Sequence, residues 1–399
     1  MNKGETITAP AASERRPPRV LQVLPALVTG GVERGAVDLA AALAARGWGS
    51  FIASAGGPMV REVERAEAQH VALPLASKNP LVMRANVGRL AAIIREHGID
   101  IVHARSRAPA WSARAAANAT GVRFVTTFHN AYGAGSLLKR RYNAVMGAGE
   151  RVIAISEFVA RHAIETYHID PAIVRVVPRG IDIERFDPER VSPERIIQLA
   201  RQWGLPDSVP LVMLPGRLTR WKGHEVLIEA LRRLGRPDFR CLIVGSGGER
   251  YRRALEAGLK RRPPASAVGF AEDCRDMAAA YMLADVVVSA STEPEGFGRV
   301  VVEAQAMGRP VIATAHGGAL ETVRPGETGW LVPPGDPGAL AAAIAAALDL
   351  SPEARLALAE RAAAHVRANF TVARMTEGTI AVYEELLGIS ARALGPVAA

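Results

Sequence analysis

The chain has 399 residues and a mass of 42.4 kDa, which exceeds one ordinary domain and suits two domains of about 150–200 residues each. Hydrophobic residues make up 49% and charged residues 22%, and this composition excludes an intrinsically disordered chain. The formal net charge is +9, and the two cysteines, Cys241 and Cys274, are too few for a disulfide scaffold.

The first half begins with a polar lead, residues 1–18, that we expect to be disordered. Short apolar runs then predict strands at Arg19–Leu24, Trp48–Ser54, Ile99–His103, Arg123–Phe128 and Arg151–Ile155. Each run is followed by a helix-like segment, the first of them at Val32–Arg46. This alternation predicts βαβ units and a parallel sheet that is covered on both faces.

The alternation pauses at Pro178–Pro188, a segment rich in turn-forming and charged residues, which we expect to act as a hinge. It then resumes with predicted strands at Pro210–Pro215, Arg240–Val244, Asp285–Ser289 and Pro310–Thr314, with helices from His224, after Gly298 and from Asp336. We therefore predict an α/β protein with two Rossmann-like, doubly wound parallel-sheet domains, 19–187 and 188–370, facing each other across a cleft. A final helix at about 371–390 is expected to pack back on the first domain.

The amino terminus lacks the apolar core of a signal peptide, and no uncharged apolar stretch approaches the roughly 20 residues of a spanning helix. The longest candidate, Ala339–Leu348, is alanine-rich and typical of a soluble helix. We therefore expect a cytoplasmic protein. No cluster of Cys and His has metal-ligand spacing, so no metal site is expected.

Nearly all of the excess positive charge lies in the first half, with 24 basic and 16 acidic residues up to Asp187 and 25 against 24 in the remainder. Lys139–Arg141 is its tightest cluster, and Arg105, Arg107 and Arg114 lie upstream. The asymmetry favours an anionic partner for the first domain, although a solvated surface that keeps the protein soluble would look the same. Nucleic acid is disfavoured, because no binding motif accompanies the charge and aromatic residues are only 5%.

In doubly wound sheets, ligands bind beyond the carboxyl ends of the strands, so the residues that follow strands are informative. Gly30 and Gly31 lie in the turn after the first strand, where they permit close backbone approach to an anion at the next helix start. Arg217 and Lys222, in the loop GRLTRWKG after Pro210–Pro215, suit a diphosphate. Gly245 begins the GSGG turn after the next strand. By itself, the Gly-Gly pair is more typical of a tight turn, and the basic segment is more typical of a surface loop.

The most specific segment is TEPEGFGRVVVE, Thr292–Glu303, after the strand Asp285–Ser289. Its loop carries Glu295, and its helix carries Glu303. The two acids do not resemble the carboxylate pair of a glycosidase, which flanks one bond. We expect Glu295 to lie near a reacting sugar and Glu303 to accept hydrogen bonds from ribose hydroxyls. The backbone at the start of the helix is expected to hold phosphate or sugar oxygens; its residues are Gly296, Phe297 and Gly298.

His129 ends the predicted strand Arg123–Phe128, with Asn130 and Gly133 nearby. A single histidine is usually structural. A position at the carboxyl end of a strand, however, favours a role at a ligand site.

Taken together, GGVER, TTFHN, VVPRGID, GRLTRWKG and EGFGRVVVE resemble the retaining glycosyltransferases of family 4, which have the two-domain GT-B fold. The resemblance covers residues 19–390 with the motifs in the family's order. Two positions depart from the pattern: Arg179 stands where the family commonly has asparagine, and Arg299 replaces a typical aliphatic residue.

The resemblance implies a role for each motif. Gly30 and Gly31 would approach the donor diphosphate, and His129 would contact the donor sugar. Arg217 and Lys222 would neutralise the leaving diphosphate in the place of a divalent metal. Glu295 and Glu303 match the E-x(7)-E pair that faces sugar and ribose. Further cleft-lining positions follow in the same way: Ser156 and Glu157 on the first domain, and Gly269 and Phe270 beside the base.

The sequence therefore predicts a retaining, metal-independent glycosyltransferase that moves a hexose from a nucleoside diphosphate sugar, with no cofactor, to a hydroxyl of a glycan or lipid-linked acceptor. The basic first domain extends this prediction to lipopolysaccharide-type surface glycan synthesis and to peripheral contact with anionic lipid on the inner face of the membrane. Two alternatives stay open. One is a nucleotide-sugar epimerase of the same fold, and the other is a non-catalytic protein that binds nucleotide sugar or nucleic acid.

Overall fold

The computed structural model describes residues 16–389 except Thr29, Ala134, Asp207 and Asp273. The first half forms a seven-stranded sheet. Its strands are β1 Arg19–Val23, β2 Gly49–Ser54, β3 Gln69–Ala72, β4 Ile101–Ala104, β5 Arg123–Phe128, β6 Arg151–Ala154 and β7 Val174–Val176. The helices between them are α1 Gly31–Ala45, α2 Val60–Arg65, α3 Pro80–Glu96, α4 Arg107–Thr120, α5 Leu137–Asn143 and α6 Glu157–Tyr167. The strand order is β3-β2-β1-β4-β5-β6-β7, and every pairing is parallel.

The second half forms a six-stranded parallel sheet. Its strands are β8 Leu211–Pro215, β9 Arg240–Val244, β10 Ala267–Ala271, β11 Val286–Ser289, β12 Val311–Thr314 and β13 Trp330–Val332. Its helices are α7 Pro193–Gln202, α8 His224–Leu234, α9 Glu249–Arg261, α10 Met277–Leu283, α11 Arg299–Ala306, α12 Ala319–Thr322, α13 Pro337–Leu348 and α14 Pro352–Asn369, and α15 Val372–Leu387 is the last helix of the described residues. The strand order is β10-β9-β8-β11-β12-β13.

Both sheets are doubly wound, as the alternating pattern predicts, and each reverses its strand order once. The reversals lie between β1 and β4 in the first sheet and between β8 and β11 in the second. The central strands are buried on both faces, for example all of Ile101–Ala104 and Leu211–Pro215, which explains why their sequences are mainly apolar. Ligand sites of this architecture lie beyond the carboxyl ends of the strands at such reversals.

The chain crosses between the two halves twice, at 178–188 and again at 370–372. The two crossings pair with each other, because the Ile181 amide donates to the Phe370 carbonyl at 2.8 Å and the Val372 amide donates to the Ile181 carbonyl at 3.0 Å. Gly180 permits this approach, since an added Cβ would collide with the Thr371 carbonyl. The predicted hinge segment is therefore one of two adjacent connections.

Helix α15 packs against the first half, where Tyr383 is fully buried and its hydroxyl lies 2.6 Å from His103 Nδ1. Arg16, from the predicted lead, pairs with Asp100 at 2.8 Å, while residues 1–15 lie outside the described residues. In the described part of the chain, no helix is long and apolar enough to cross a membrane. The same residues contain no group of three or more His, Cys, Asp or Glu arranged to hold a metal ion.

Candidate active site

Loops that follow strands of the first sheet contact loops that follow strands of the second. Ser156, after β6, donates its hydroxyl to the Gly296 carbonyl, after β11, at 2.7 Å. An added Cβ on Gly296 would lie 3.2 Å from the Asn130 Cα and from the His129 carbonyl oxygen. The loop that carries Glu295 therefore lies directly against the end of β5.

Lys222 and Glu295, predicted to face diphosphate and sugar, form an ion pair. Lys222 ends a 3₁₀ turn after β8, and its Nζ lies 2.7 Å from Glu295 Oε1. The two side chains are only 12% and 20% exposed. Ser291 also donates its hydroxyl to Glu295 Oε1. The site thus holds one cation and one anion that a ligand can separate and engage.

A second loop, which the sequence analysis missed, packs against the backbone of Glu295. This loop, His316–Gly318, follows β12, and its Gly318 amide donates to the Glu295 carbonyl at 2.9 Å. Gly317 has a φ of +60°, and an added Cβ there would collide with the same carbonyl. His316 Nε2 lies 2.8 Å from the Ser291 carbonyl. In the sequence, this loop is marked by Gly317 and Gly318, which follow the predicted strand Pro310–Thr314.

Glu303 lies in the second turn of α11 and is 6% exposed. Its Oε2 accepts a 2.9 Å hydrogen bond from the Tyr281 hydroxyl, and its Oε1 pairs with Arg299 at 2.8 Å. Burial and the Glu303 charge raise the pKa of Tyr281 well above its ordinary value, so Tyr281 stays a donor. A ribose that binds Glu303 would share or displace Arg299.

One ring nitrogen of His129, Nε2, is buried and has no hydrogen-bond partner among the described residues. Arg179 Nη2 lies 2.9 Å from His129 Nδ1, while no described residue contacts Nε2 by a hydrogen bond. Burial, and then the Arg179 charge, lower the pKa of His129 well below its ordinary value. Because a guanidinium can only donate, Nδ1 accepts and the neutral ring carries its proton on Nε2. His129 therefore presents an N–H donor.

The Gly30–Gly31 turn comes between β1 and α1, at the strand-order reversal of the first sheet. An added Cβ on Gly30 would collide with the carboxylate of Glu33, which folds over the helix start. Arg179 donates to the Gly31 carbonyl, and an added Cβ on Gly31 would lie 3.3 Å from Arg299 Cδ of the second half. Both glycines are therefore at a crowded contact between the two halves.

The remaining predicted positions fall into two groups. Arg217 is exposed beside Lys222, and within the described residues its side chain makes no hydrogen bond or ion pair. Phe297 is buried against Phe370, and Gly298, at a φ of +80°, precedes the first residue of α11. The base-side positions are Gly245, Gly269 and Phe270.

Those base-side positions lie at different depths along their strands. Gly245 follows β9, and its amide donates to the Ala271 carbonyl at 2.8 Å. Gly269 and Phe270 are paired with Leu242 and Ile243 inside β10. The end of β10 that reaches the cleft edge is therefore Ala271, beyond the two predicted residues.

The basic residues of the first half differ in burial. Arg105, which the sequence groups with Arg107 and Arg114, is only 5% exposed, so a solvated surface does not describe it. It follows β4, and its Nη1 donates to Gln22 Oε1 at 3.2 Å. Arg107 instead lies 4.5 Å from the centre of the Tyr132 ring. Burial arises because Arg105 points inward at the strand end, which charge counting cannot show.

A carboxylate of the second half caps a helix of the first. Glu321 accepts from the amides of Glu157 and Phe158, at 2.9 and 2.8 Å, at the start of α6. Burial raises the pKa of Glu321 above its ordinary value. Helix starts bind anions because their first amides lack intrahelical acceptors. This contact joins the two halves beside the cleft.

Comparison with known proteins follows the same division of the chain. Residues 29–185 match the family described as Glycosyltransferase Family 4, and residues 196–365 match Glycosyl transferases group 1. A D-inositol 3-phosphate glycosyltransferase of Acidothermus cellulolyticus is 32% identical over 323 residues, covering 74% of this chain and 70% of the relative. The enzyme of that name from Corynebacterium jeikeium is 35% identical over 242 residues, 56% of this chain and 54% of its own length. This chain thus aligns with about half the length of that relative.

Solved structures agree in fold. A glycosyltransferase from Rickettsia africae superposes with a TM-score of 0.86 at 37% identity, covering 94% of this chain and all of that one. Anabaena HepE, solved with UDP and glucose, superposes with a TM-score of 0.78 over 93% of this chain and 99% of its own, and its 24% identity shows the fold alone. With two matched family models and this architecture, the chain belongs to the family 4 glycosyltransferases and has the GT-B fold.

Proposed function

We propose that this protein transfers a hexose from a nucleoside diphosphate sugar to an acceptor hydroxyl with retention at the anomeric carbon. The observation that carries the proposal is the Lys222–Glu295 ion pair, which lies at the strand-order reversal of the second sheet on a loop that contacts the His129 strand end. Two opposed lobes with charged side chains at their strand ends suit a diphosphate sugar.

The geometry suggests a division of roles when the donor binds. The Lys222 ammonium would exchange Glu295 for the diphosphate, with Arg217 as a second cation that is free to reach the same group. Glu295 would then accept hydrogen bonds from sugar hydroxyls. The Nε2–H of His129 would donate to the sugar from the opposite lobe. Positive charge held at the diphosphate favours departure of that group without a resident metal.

In the chemical step, the bond between the anomeric carbon and the phosphate oxygen breaks, and its electron pair goes to that oxygen. The acceptor oxygen forms the new bond on the same face, and its proton passes to the leaving phosphate. No enzyme carboxylate needs to act as a nucleophile. Lys222 and Arg217 would stabilise the charge that grows on the phosphate, and such assistance commonly contributes about 3–4 kcal/mol per donor.

A thermal-shift screen with UDP-, GDP- and ADP-sugars tests donor binding first, because a ligand of the folded state raises the melting temperature by mass action. Proton NMR of the products then gives the anomeric configuration. A sugar that inverts in the absence of any acceptor would favour the epimerase. Tight donor binding without turnover towards a panel of glycan and lipid-linked acceptors would favour the non-catalytic protein.

We also propose that the acceptor belongs to surface glycan or glycolipid synthesis of the lipopolysaccharide type, and that the protein reaches it on the inner face of the membrane. Helix α5 supports this docking. Leu137 and Leu138, in its first turn, are 84% and 83% exposed, and Lys139–Arg141 follow them directly. Exposed leucines beside a basic cluster match the boundary of an anionic bilayer, where apolar groups insert and cations meet headgroups.

The position of α5 suits delivery of an acceptor to the cleft. The loop from His129 leads into α5, and the Asn143 side chain at the helix end donates to the Gly133 carbonyl at 3.2 Å. Another exposed leucine, Leu81, lies in the first turn of α3 and is 77% exposed. These residues place apolar and basic groups on the lobe that we assign to the acceptor.

Vesicle sedimentation tests the docking proposal. We expect enrichment on vesicles rich in phosphatidylglycerol at low salt, and none on phosphatidylcholine alone. The double variant Leu137→Ser/Leu138→Ser should lose most of this binding, whereas Leu356→Ser, at a leucine that is 61% exposed on α14, should not. Equal binding by all three proteins, or none by the wild type, would contradict the proposal.

A further inference from the structure

Two arginines in the cleft are buried without an acidic partner. Arg105, after β4, is 5% exposed, and Arg179, after β7, is 7% exposed. Arg105 donates to the Gln22 amide oxygen, and Arg179 donates to His129 Nδ1 and to the Gly31 carbonyl, all of which are neutral acceptors. Among the described residues, neither guanidinium has a carboxylate within 4.0 Å. Burying a charge without a counter-ion opposes folding, so such residues point to a missing anion.

Both arginines line the same small cavity, and its walls include polar atoms without partners. The cavity measures about 10 Å³ and is lined also by Thr127, His129 and Thr379. Arg105 Nε and His129 Nε2 are buried and make no hydrogen bond with any described residue. A space of this size holds a single oxygen-sized group. The arginines therefore line room for one oxygen atom of a ligand, and this space borders the His129 ring that we assign to the donor sugar.

A third arginine, Arg299 of the opposite lobe, lies against the Gly31 position beside this cavity. Arg299 Cδ lies 3.3 Å from the Cβ position of Gly31, the residue whose carbonyl accepts from Arg179. One Arg299 nitrogen pairs with Glu303, while its Nε is buried and has no hydrogen-bond partner among the described residues. Arg179 and Arg299 therefore both lie against the Gly31 position, and Arg105 Nη2 lies 3.2 Å from the Cβ position of Gly35, one turn further along α1.

The acidic groups nearest to Arg105 and Arg179 form no ion pair with them in the described part of the chain, whereas Arg299 is paired with Glu303. Glu33 and Asp38 on α1 act on Arg105 through their charge, but no ion pair joins them to it. Burial raises the pKa of Asp38 to about 6, which weakens its negative charge in mildly acidic solution. Burial, together with the charges of Arg105 and Arg299, lowers the pKa of Arg179 to about 9.

We propose that Arg105, Arg179 and Arg299 bind an oxyanion carried by the acceptor, a carboxylate or a phosphate on the sugar that receives the hexose. The proposal rests on the proposed function and names the acceptor class. Two of the three arginines belong to the first lobe, at or near its strand-order reversal, whereas the diphosphate has its own cations in Lys222 and Arg217. Guanidinium groups bind carboxylate and phosphate through paired hydrogen bonds.

The test titrates simple anionic sugars into protein saturated with the nucleoside diphosphate that stabilises it, with melting temperature as the readout. The anionic probes are glucuronate and glucose 6-phosphate. Their neutral controls are glucuronamide and glucose. We expect at least one anion, but neither neutral sugar, to raise the melting temperature. A response to glucuronate alone assigns a sugar acid, and a response to glucose 6-phosphate alone assigns a phosphorylated sugar.

Two variants and a matched control connect the response to the site. Arg179→Asn and Arg105→Gln should each weaken anion binding at least tenfold, while Arg201→Gln, at an exposed arginine on α7, should leave it unchanged. Both site variants should melt no lower than the wild type without ligand, because each removes a buried charge. A merely structural arginine would instead lower the melting temperature when replaced.

Several results would overturn the proposal. One is that neither anion stabilises the protein, and another is that the variants bind the anion as tightly as the wild type. A third is competition between the anion and the nucleoside diphosphate, which would place the arginine cluster in the donor site. Failure of the proposed function would give a different result, because then no nucleotide would raise the melting temperature. In that case the same anion titration without nucleotide still tests the arginine cluster.

Discussion

Replacing Lys222 by alanine separates the two tasks of this side chain, holding Glu295 in the free protein and holding phosphate in the reaction. The ammonium lies 2.7 Å from a carboxylate that is only 20% exposed. A hydrogen bond to a charged group contributes about 1.5–3 kcal/mol, so we expect Lys222→Ala to lower the free energy of unfolding by about 2 kcal/mol. Urea unfolding measures this change.

The effect on transfer should be at least as large. A loss of about 1.4 kcal/mol of transition-state stabilisation is a tenfold decrease in rate, and loss of an electrostatic donor commonly reaches a hundredfold. We expect kcat in a steady-state transfer assay to fall at least about tenfold. Lys260→Ala, at an exposed lysine on α9, is the matched control and should retain full activity.

A double variant distinguishes the two effects. Adding Glu295→Gln to Lys222→Ala removes the unpaired carboxylate, so it should restore most of the lost stability without restoring kcat. Transfer within twofold of the wild type in Lys222→Ala would refute the assignment of this lysine to the leaving group. Recovery of activity together with stability would show that the lysine only maintains the fold.

Three further outcomes are expected. Glu303→Ala should lower transfer at least about tenfold, measured with the same assay, because the ribose loses its acceptor and Tyr281 loses its hydrogen bond. The raised pKa of Asp38, about 6, means that the folded protein binds this proton more tightly than the unfolded chain, so the free energy of unfolding should fall as pH rises from about 4 to about 6. Asp38→Asn should remove about 2 kcal/mol of that fall in urea titrations at the two pH values, and an unchanged pH dependence would contradict the burial of this carboxylate. Small-angle scattering should show a more compact particle with nucleotide than without it, since the paired crossings at 178–188 and 370–372 allow the lobes to rotate; identical radii would argue against closure.

The central strands could be read from the sequence because they are buried on both faces. The predicted strands Arg123–Phe128 and Arg240–Val244 coincide with β5 and β9. The strands that the analysis missed are β3, β7, β10 and β13, and all four are the edges of their sheets. Edge strands here are short or half-exposed, as in Gln69–Ala72 and Trp330–Val332, so they lack the apolar run that identifies a strand.

The sequence predicted those residues of the candidate site that lie in loops after strands. His129, Lys222 and Glu295 each follow a strand, and the rule for parallel sheets brings them to one cleft. The partners of these residues were not predictable. Arg179 lies 50 positions from His129, and Glu321 lies 164 positions from Glu157. Local patterning carries no information about which side chains meet over such separations, or about which charges become buried.

The Glu321 cap has a consequence for motion. Helix α6 is complete at its first turn only while the second lobe supplies a carboxylate to its amides, so separation of the lobes leaves two donors to be solvated. Water can solvate these two donors, so the cap itself adds little to the free energy that holds the lobes together. Its effect is on orientation, because the first turn of α6 has this carboxylate only while Glu321 faces it.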